Sequence, residues 1–220
     1  MDRDGAWQAI DAQRLRVAGV LEQLSDDDWR QPSLCAGWTV RDVAAHLTMQ
    51  QVGLRQLSAE LVKARRDVIK SRGSMNRLIH DAAITRSALP TEQLIAEIRG
   101  MVGSRRHNVG VTYRETLLDI LVHSQDIAMP LDRPLEVPPD AAALAASRAW
   151  SRGWPFYPRK RMRGFRLVAT DVQWAAGDGA PVNGPMAAIL LLITGRLVVL
   201  PMLSGDGAVA LGARLTTSPG

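Results

Sequence analysis

The sequence places an acidic residue and a histidine one helical turn apart in an apolar stretch. Asp119 and His123 are four residues apart, which puts both side chains on one face of a helix, and Asp126 follows one turn further. Apolar neighbours on both sides predict that this helix is largely buried. A buried carboxylate and imidazole are costly without partners, and metal ligation is one way to provide them. A buried Asp–His hydrogen bond that fixes helix packing fits this spacing equally well.

A second histidine favours metal ligation over a purely structural Asp–His hydrogen bond. His46 lies among apolar residues of another predicted helix, where a single histidine is usually a satisfied core residue. Together, however, His46, Asp119 and His123 supply two imidazoles and one carboxylate from two helices. This set suits a catalytic Zn²⁺ or a related divalent ion with open coordination positions. Asp126 could orient one of the ligands from behind.

The other candidates carry weaker signals. His80 and His107 lie in polar surroundings and are expected to be exposed. Cys35 comes just before a predicted helix start, where a thiolate would be favoured, but a small buried cysteine is the simpler interpretation. The basic stretch 157–166 could meet a phosphate or a carboxylate, although a solvated loop explains it as well. The sequence contains no Rossmann, HExxH, Walker or G-x-S-x-G motif.

Helices must position these residues. Apolar periodicity predicts helices over 7–24, from 39 onward, and over about 75–87, 92–102 and 113–128. Thr39 and Asp42 fit a capping box at the start of the second helix, which could run through Leu54 and Leu61 toward Lys70. Long helices joined by short loops indicate an antiparallel bundle.

The composition changes after residue 130. Pro134, Pro138 and Pro139 mark a linker, and an alanine-rich helix is predicted over 141–150. Beyond it we expect strands over 165–170, 172–174, 197–200 and 208–211, a turn over 177–179 and a short apolar helix ending near 193. The sequence therefore predicts an α+β fold in two domains, a helical bundle over 1–135 and a small α+β domain over 136–220.

Composition excludes several classes of protein. The chain has 220 residues, of which 46% are hydrophobic and 22% charged, so a disordered chain or a fibre is excluded. A single cysteine excludes a disulfide scaffold. No apolar run approaches the roughly 20 residues that cross a bilayer, and the N-terminus lacks a signal-peptide pattern. We therefore expect a cytoplasmic location and no membrane partner.

The net charge of +5 raises the question of nucleic acid. Nucleic-acid binding would require the arginines to gather on one face beside stacking aromatic residues. Phe and Tyr number two each, and most arginines lie along helices with acidic residues opposite. We therefore expect no nucleic-acid partner.

The segment 32–47, PSLCAGWTVRDVAAHL, resembles the C-x-G-W-T-V-R-D-V-x-A-H-L signature of the mycothiol-dependent maleylpyruvate isomerase family. That family belongs to the DinB-like superfamily of metal-binding four-helix bundles. Its second signature, an acidic residue four before a histidine and an aspartate three after, resembles Asp119, His123 and Asp126. Motifs between 171 and 207 resemble its small sterol-carrier-like domain. The set covers nearly the whole chain and is specific for the family rather than for one reaction.

The resemblance implies a DinB-like antiparallel four-helix bundle followed by a sterol-carrier-like α/β domain. It also implies a divalent metal, typically zinc, held by His46, Asp119 and His123. The metal would coordinate the thiol of mycothiol and favour the thiolate, which would attack a small electrophile. The activity implied is that of an S-transferase, or of an isomerase in which thiol addition permits rotation about a double bond. Arg196, with Arg214 as a rival, matches an arginine expected to act in catalysis by holding a substrate carboxylate.

Asp119 stands where the isomerase has glutamate, which is one methylene longer. The metal would then lie closer to this helix or bind more weakly. The alternative is a non-catalytic metal- or ligand-binding protein of the same fold. An oligomer is compatible with either interpretation. An open, solvent-reachable metal position would favour the enzyme, whereas a closed shell of four protein ligands would favour a structural role.

Overall fold

The computed structural model describes residues 1–51 and 75–217. The chain forms two compact units, Trp7–Leu135 and a second composed of Met1–Ala6 with Glu136–Gly220. The first unit is helical, whereas the second combines helices with a three-stranded mixed sheet. The predicted α+β class is therefore confirmed. The division into two domains over 1–135 and 136–220 stays a prediction.

Helices build the N-terminal part of the chain. Their bounds are α1 Arg3–Leu21, α2 Asp26–Arg30, α3 Val40–Leu47, α4 Met75–Arg86, α5 Thr91–Gly100 and α6 Tyr113–Ala128, followed by a 3₁₀ turn over Met129–Leu131. Within the Trp7–Leu135 unit, α3 lies against α2, α4, α5 and α6. Among the described helices, none combines the length and the apolar character needed to cross a bilayer.

Two capping boxes fix the starts of α3 and α6. The Thr39 hydroxyl accepts from the Asp42 backbone N–H, and an Asp42 carboxylate oxygen accepts from the Thr39 N–H at 2.9 Å. Thr112 and Glu115 form the same reciprocal pair at the start of α6. Each box satisfies backbone donors that the first helical turn leaves unpaired. The predicted capping box at residue 39 is thus confirmed.

The loop before α3 and the end of α3 differ from the prediction. Residues 26–30, expected in a loop, form α2, which a capping box between Ser25 and Asp28 opens. Helix α3 ends at Leu47 and is followed by turns over 48–51. The predicted continuation through Leu54 and Leu61 toward Lys70 lies outside the described residues.

Helix α6 is largely buried, with ten buried residues among its 16. Its apolar side chains Leu117, Ile120 and Leu121 are fully buried, as is Ile127. Burying a leucine or isoleucine stabilises the fold by about 1.5–3 kcal/mol. This packing holds the backbone of the Asp119–Asp126 segment in place.

The second unit contains a small sheet. Its elements are α7 Pro139–Arg152, α8 Pro158–Arg161, β1 Gly164–Ala169, β2 Ala175–Ala176, β3 Gly179–Gly184, α9 Met186–Ile193, a 3₁₀ helix over Leu197–Met202 and α10 Ala208–Thr217. The strand order is β2-β1-β3, with β2 antiparallel and β3 parallel to β1. Helix α9, nearly all buried, packs against α7 and β1.

Several predictions in this unit are wrong. Residues 172–174 form a bend rather than a strand, and β2 follows them with only two residues. Strand β3 was missed because its two glycines and its proline are typical of turns. The stretches 197–200 and 208–211, expected as strands, are a 3₁₀ helix and the first turn of α10. Periodicity does not distinguish helix from strand in such short apolar runs.

Candidate metal centre

Three side chains predicted as metal ligands meet within the helical unit. His46 lies in the last turn of α3, and Asp119 and His123 lie one turn apart in α6, against which α3 packs. One potential ligand atom from each residue lies within 4.8 Å of those of the other two. The i, i+4 spacing brings the α6 pair together, and helix packing adds His46.

Both imidazoles direct Nε2 toward the same carboxylate oxygen. His46 Nε2 lies 3.1 Å from Asp119 Oδ1, and His123 Nε2 lies 3.6 Å from the same atom. The two imidazole centroids are 4.7 Å apart and their planes meet at 72°. Nitrogen and oxygen donors converging from two helices form a set that suits a divalent cation such as Zn²⁺.

A buried aspartate fixes the His123 ring. His123 Nδ1 lies 2.8 Å from Asp126 Oδ2, and the Asp126 side chain is fully buried. An ionised carboxylate only accepts hydrogen bonds, so Nδ1 carries the proton and donates it. Whenever the ring is neutral, Nε2 is then a lone-pair atom directed at Asp119. A carboxylate behind a histidine is the arrangement that orients metal-binding imidazoles in proteins.

The second oxygen of Asp119 has its own partner. The Gln50 side-chain amide donates to Asp119 Oδ2 at 2.7 Å, which leaves Oδ1 toward the histidines. Gln50 was not among the residues predicted from the sequence. Its signal was the spacing of four residues from His46, which places it on the same side of the chain if the helical path continues.

His46 is held by aromatic contacts as well as by Asp119. The Trp38 ring meets the His46 imidazole edge to face at a centroid distance of 5.4 Å. His46 Nδ1 is buried and has no hydrogen-bond partner among residues 1–51 and 75–217. Ring packing and the Asp119 contact, rather than an acceptor at Nδ1, therefore set the orientation of His46.

The electrostatics of the cluster favour a protonated His46 beside an ionised Asp119. Burial alone would lower the pKa of His46, but the charge and hydrogen bond of Asp119, with a smaller effect from Asp126, raise it above its ordinary value. Burial opposes ionisation of Asp119 as well. The charges of His46 and His123 and the hydrogen bonds of His46 and Gln50 outweigh it and hold the pKa of Asp119 well below its usual range. A carboxylate that stays ionised is a competent cation ligand.

The cluster is not sealed from solvent. The side chains of His46, Asp119 and His123 are 15%, 30% and 16% exposed. A structural metal site usually has four protein ligands and is closed. Three converging donors with partial exposure match the donor count of a catalytic site.

Cys35 belongs to a second possible ligand group, with His123 and Asp126. The loop that carries Cys35 is tied to α6, because the Leu34 N–H donates to the Asp126 carbonyl at 3.1 Å. The two groups share His123, and a neutral imidazole offers one lone pair. The tautomer that Asp126 selects directs this lone pair toward Asp119, which favours the His46–Asp119–His123 group.

The remaining sequence candidates lie elsewhere. His80 is partly exposed, with Asp81 at 3.3 Å and the Trp38 ring at 5.6 Å, and His107 is exposed. Arg196 and Arg214 both lie in the second unit. Arg196 donates to the Thr194 carbonyl, whereas Arg214 stacks 4.4 Å over Phe165. The guanidinium of Arg214 also donates to the carbonyl of Arg163.

Comparison with known families gives the site its context. Residues 10–110 match the family model described as the mycothiol maleylpyruvate isomerase N-terminal domain. The segment 10–110 therefore contains a domain of this type. The family resemblance noted in the sequence is thus confirmed, and the matched segment contains His46, Gln50 and Arg14.

Two solved structures share the fold. A crystal structure of a histidine-to-alanine variant of the mycothiol-dependent maleylpyruvate isomerase aligns with a TM-score of 0.59 and 12% identity, covering 89% of this chain and 90% of that chain. A further structure of that isomerase aligns with a TM-score of 0.53, 13% identity and the same coverage. At this identity the likeness shows the fold alone. A search of curated proteins finds no match.

Proposed function

We propose that this protein is a metal-dependent enzyme, a thiol transferase or isomerase that uses mycothiol. One observation carries the proposal: Nε2 of His46, Nε2 of His123 and Oδ1 of Asp119 converge from two helices at a partly exposed position. The metal is a divalent ion, and the donor set is suited to Zn²⁺. The remaining substrate is a small electrophile.

Each residue of the cluster has a part in this proposal. His46, Asp119 and His123 hold the cation, and Asp126 keeps the proton of His123 on Nδ1. A cation bound there would supply the charge that favours the thiolate form of mycothiol, the nucleophile that would attack the electrophile. Partial exposure of the three ligands leaves room for a thiol to approach.

The role of Arg196 stays a prediction. As a residue that touches the substrate, it would pair with a carboxylate through its guanidinium fork. In the structure its guanidinium donates to the Thr194 carbonyl. Replacement by lysine would keep the charge and lose the fork, so a rise in KM for an acidic electrophile is the expected result.

A non-catalytic metal- or ligand-binding protein is the second candidate. The observation that favours it is the contact between His46 Nε2 and Asp119 Oδ1, which pairs the two side chains without a cation. A closed metal shell in the metal-loaded protein would support this candidate. Exchangeable water on the metal would support the enzyme.

A thermal-shift titration with mycothiol tests the proposal. Because a ligand that binds the native state raises the melting temperature, mycothiol should stabilise zinc-loaded protein in proportion to its concentration. The shift should vanish after chelation and in a His46→Ala variant. A shift that is equal with and without metal, or no shift in zinc-loaded protein, would overturn the proposal.

A further inference from the structure

A buried arginine lies behind the candidate metal centre. The Arg14 side chain on α1 is fully buried, and its Nε and Nη2 atoms donate to Gln50 Oε1 at 3.4 and 3.1 Å. Nη1 donates to the Met101 carbonyl at 2.9 Å and lies 3.5 Å from Asp11 Oδ1. Burial lowers the pKa of Arg14, and Asp11 opposes this effect. A buried charge is costly without partners, so Arg14 and the groups that contact it form a fixed network within this unit.

Arg14 determines which way the Gln50 amide faces. The guanidinium has donors and no acceptor, so Gln50 must present its oxygen to Arg14. Its NH₂ group then faces the other way and donates to Asp119 Oδ2 at 2.7 Å. The hydrogen bonds to Arg14 and Asp119 therefore determine which side of the Gln50 amide carries the oxygen and which carries the nitrogen.

The orientation of Gln50 has a consequence for Asp119. With Oδ2 engaged by Gln50, the carboxylate offers Oδ1 to His46 Nε2 and His123 Nε2. The hydrogen bonds from Arg14 through Gln50 to Asp119 polarise one another in the same direction, which strengthens each of them in a buried setting. A carboxylate held in this way binds a cation through one oxygen rather than two.

We propose that Arg14 and Gln50 are positioning residues that hold Asp119 as a single-oxygen ligand. They touch neither thiol nor electrophile, and they act through the carboxylate of Asp119. This inference rests on the proposed function, since it assumes that a cation binds at His46, Asp119 and His123. It adds two residues outside that ligand set, one on α1 and one after α3.

The chain offers a matched control for this inference. Gln13 precedes Arg14 on α1, is fully buried and donates from its own amide to Ser124 Oγ at 2.7 Å. The Gln13 hydrogen bond links α1 to α6, as the Gln50 hydrogen bond links the segment after α3 to α6. Its acceptor, Ser124, is not one of the three candidate metal ligands. Removing either amide should weaken the fold, whereas only Gln50 should affect the metal.

The experiment uses Co²⁺, whose visible spectrum reports the number and geometry of its ligands. Full-length protein and the variants Gln50→Met, Arg14→Lys and Gln13→Met are titrated with Co²⁺ against a competing chelator. Methionine keeps the length of glutamine and removes its amide. We expect Gln50→Met to change the Co²⁺ spectrum and to weaken binding by about 10–100-fold, the range for residues that orient a ligand. Arg14→Lys should do so to a lesser extent, since lysine keeps the charge.

Gln13→Met should lower the melting temperature of the metal-free protein while leaving the Co²⁺ spectrum and affinity as in the wild type. Gln50→Asn is the second variant if Gln50→Met does not fold, because asparagine is too short to span Arg14 and Asp119. An unchanged spectrum and affinity in the Gln50 variants would overturn the positioning role, as would an equal effect of Gln13→Met. If wild-type protein binds no Co²⁺, or if His46→Ala binds it equally well, the proposed function itself fails.

Discussion

Nδ1 of His123 lies 2.8 Å from Oδ2 of Asp126, a residue whose side chain is fully buried one turn further along α6. The contact puts the proton of the imidazole on the side away from Asp119. Nε2 is then available for a cation without any change of tautomer. The geometry of α6 therefore orients His123 as a candidate cation ligand already in the metal-free protein.

Replacing Asp126 by asparagine tests this preparation. Asparagine keeps the size of the side chain but can present an NH₂ group to Nδ1, which would favour the wrong tautomer of His123. We expect zinc affinity, measured by chelator competition, to fall by about 10–100-fold. Unchanged affinity in a folded Asp126→Asn protein would contradict the role of Asp126.

The capping boxes at the starts of α3 and α6 predict that removing either cap lowers the stability of the protein. Thr39→Ala and Thr112→Ala each remove a hydroxyl that accepts a backbone N–H at the first turn of α3 or α6. Each variant should lose about 0.5–2 kcal/mol of the free energy of unfolding, measured with urea. Serine at the same positions is the control and should retain most of that stability. Equal losses for serine and alanine would contradict the capping role.

Cys35 is predicted to be dispensable for metal binding. Its thiol shares a possible ligand group with His123 and Asp126, but the His123 tautomer favours the other group. Cys35→Ser should therefore leave zinc affinity within about twofold of the wild type, because the substitution removes no ligand. A tenfold loss of affinity would correspond to about 1.4 kcal/mol of binding free energy. Co²⁺-loaded wild-type protein should lack a thiolate charge-transfer band before any thiol is added. A band that Cys35→Ser abolishes would show that Cys35 is a ligand.

The pKa shifts predict how the metal-free protein responds to pH. The folded pKa of His46 is raised, so its contribution is complete below about 6.5 and is lost as pH rises through the folded value. The folded pKa of Asp119 is lowered, so its contribution is present above about 3.9 and is lost at lower pH. The His46–Asp119 pair should therefore stabilise the chelated protein most between these two values.

Urea unfolding with excess chelator measures this effect. The difference in the free energy of unfolding between wild type and Asp119→Asn should be larger near pH 5.5, about midway in that window, than near pH 9. Asp27→Asn is a suitable control, since Asp27 is almost fully exposed. A difference that grows toward pH 9 would contradict the pKa directions.

Local spacing was sufficient to predict that three candidate ligand residues meet. Asp119 and His123 are joined by helical geometry, and the apolar stripe of α3 places His46 against α6. Spacing could not reveal Gln50 and Arg14, because their contact joins residues 36 positions apart and depends on how α1 lies in the unit. A buried arginine is also rare enough that sequence alone argues for exposure.

The second unit was harder to predict. Residues 208–211 form one apolar turn of α10, in which alanine, leucine and arginine favour a helix, but four residues are too few to define a period. Strand β3 contains Pro181 and two glycines, and it gains its stability from parallel pairing with β1. Such pairing depends on tertiary context rather than on local propensity.

The most direct test of the account is a titration of Co²⁺-loaded protein with mycothiol, followed by the thiolate-to-cobalt charge-transfer band. The band should appear only when thiol is added and should saturate near one thiol per chain in both wild type and Cys35→Ser. It should be absent in His46→Ala and His123→Ala. No band in Co²⁺-loaded wild type, or a band that survives both histidine replacements, would contradict the assignment of a thiol-binding metal to His46, Asp119 and His123.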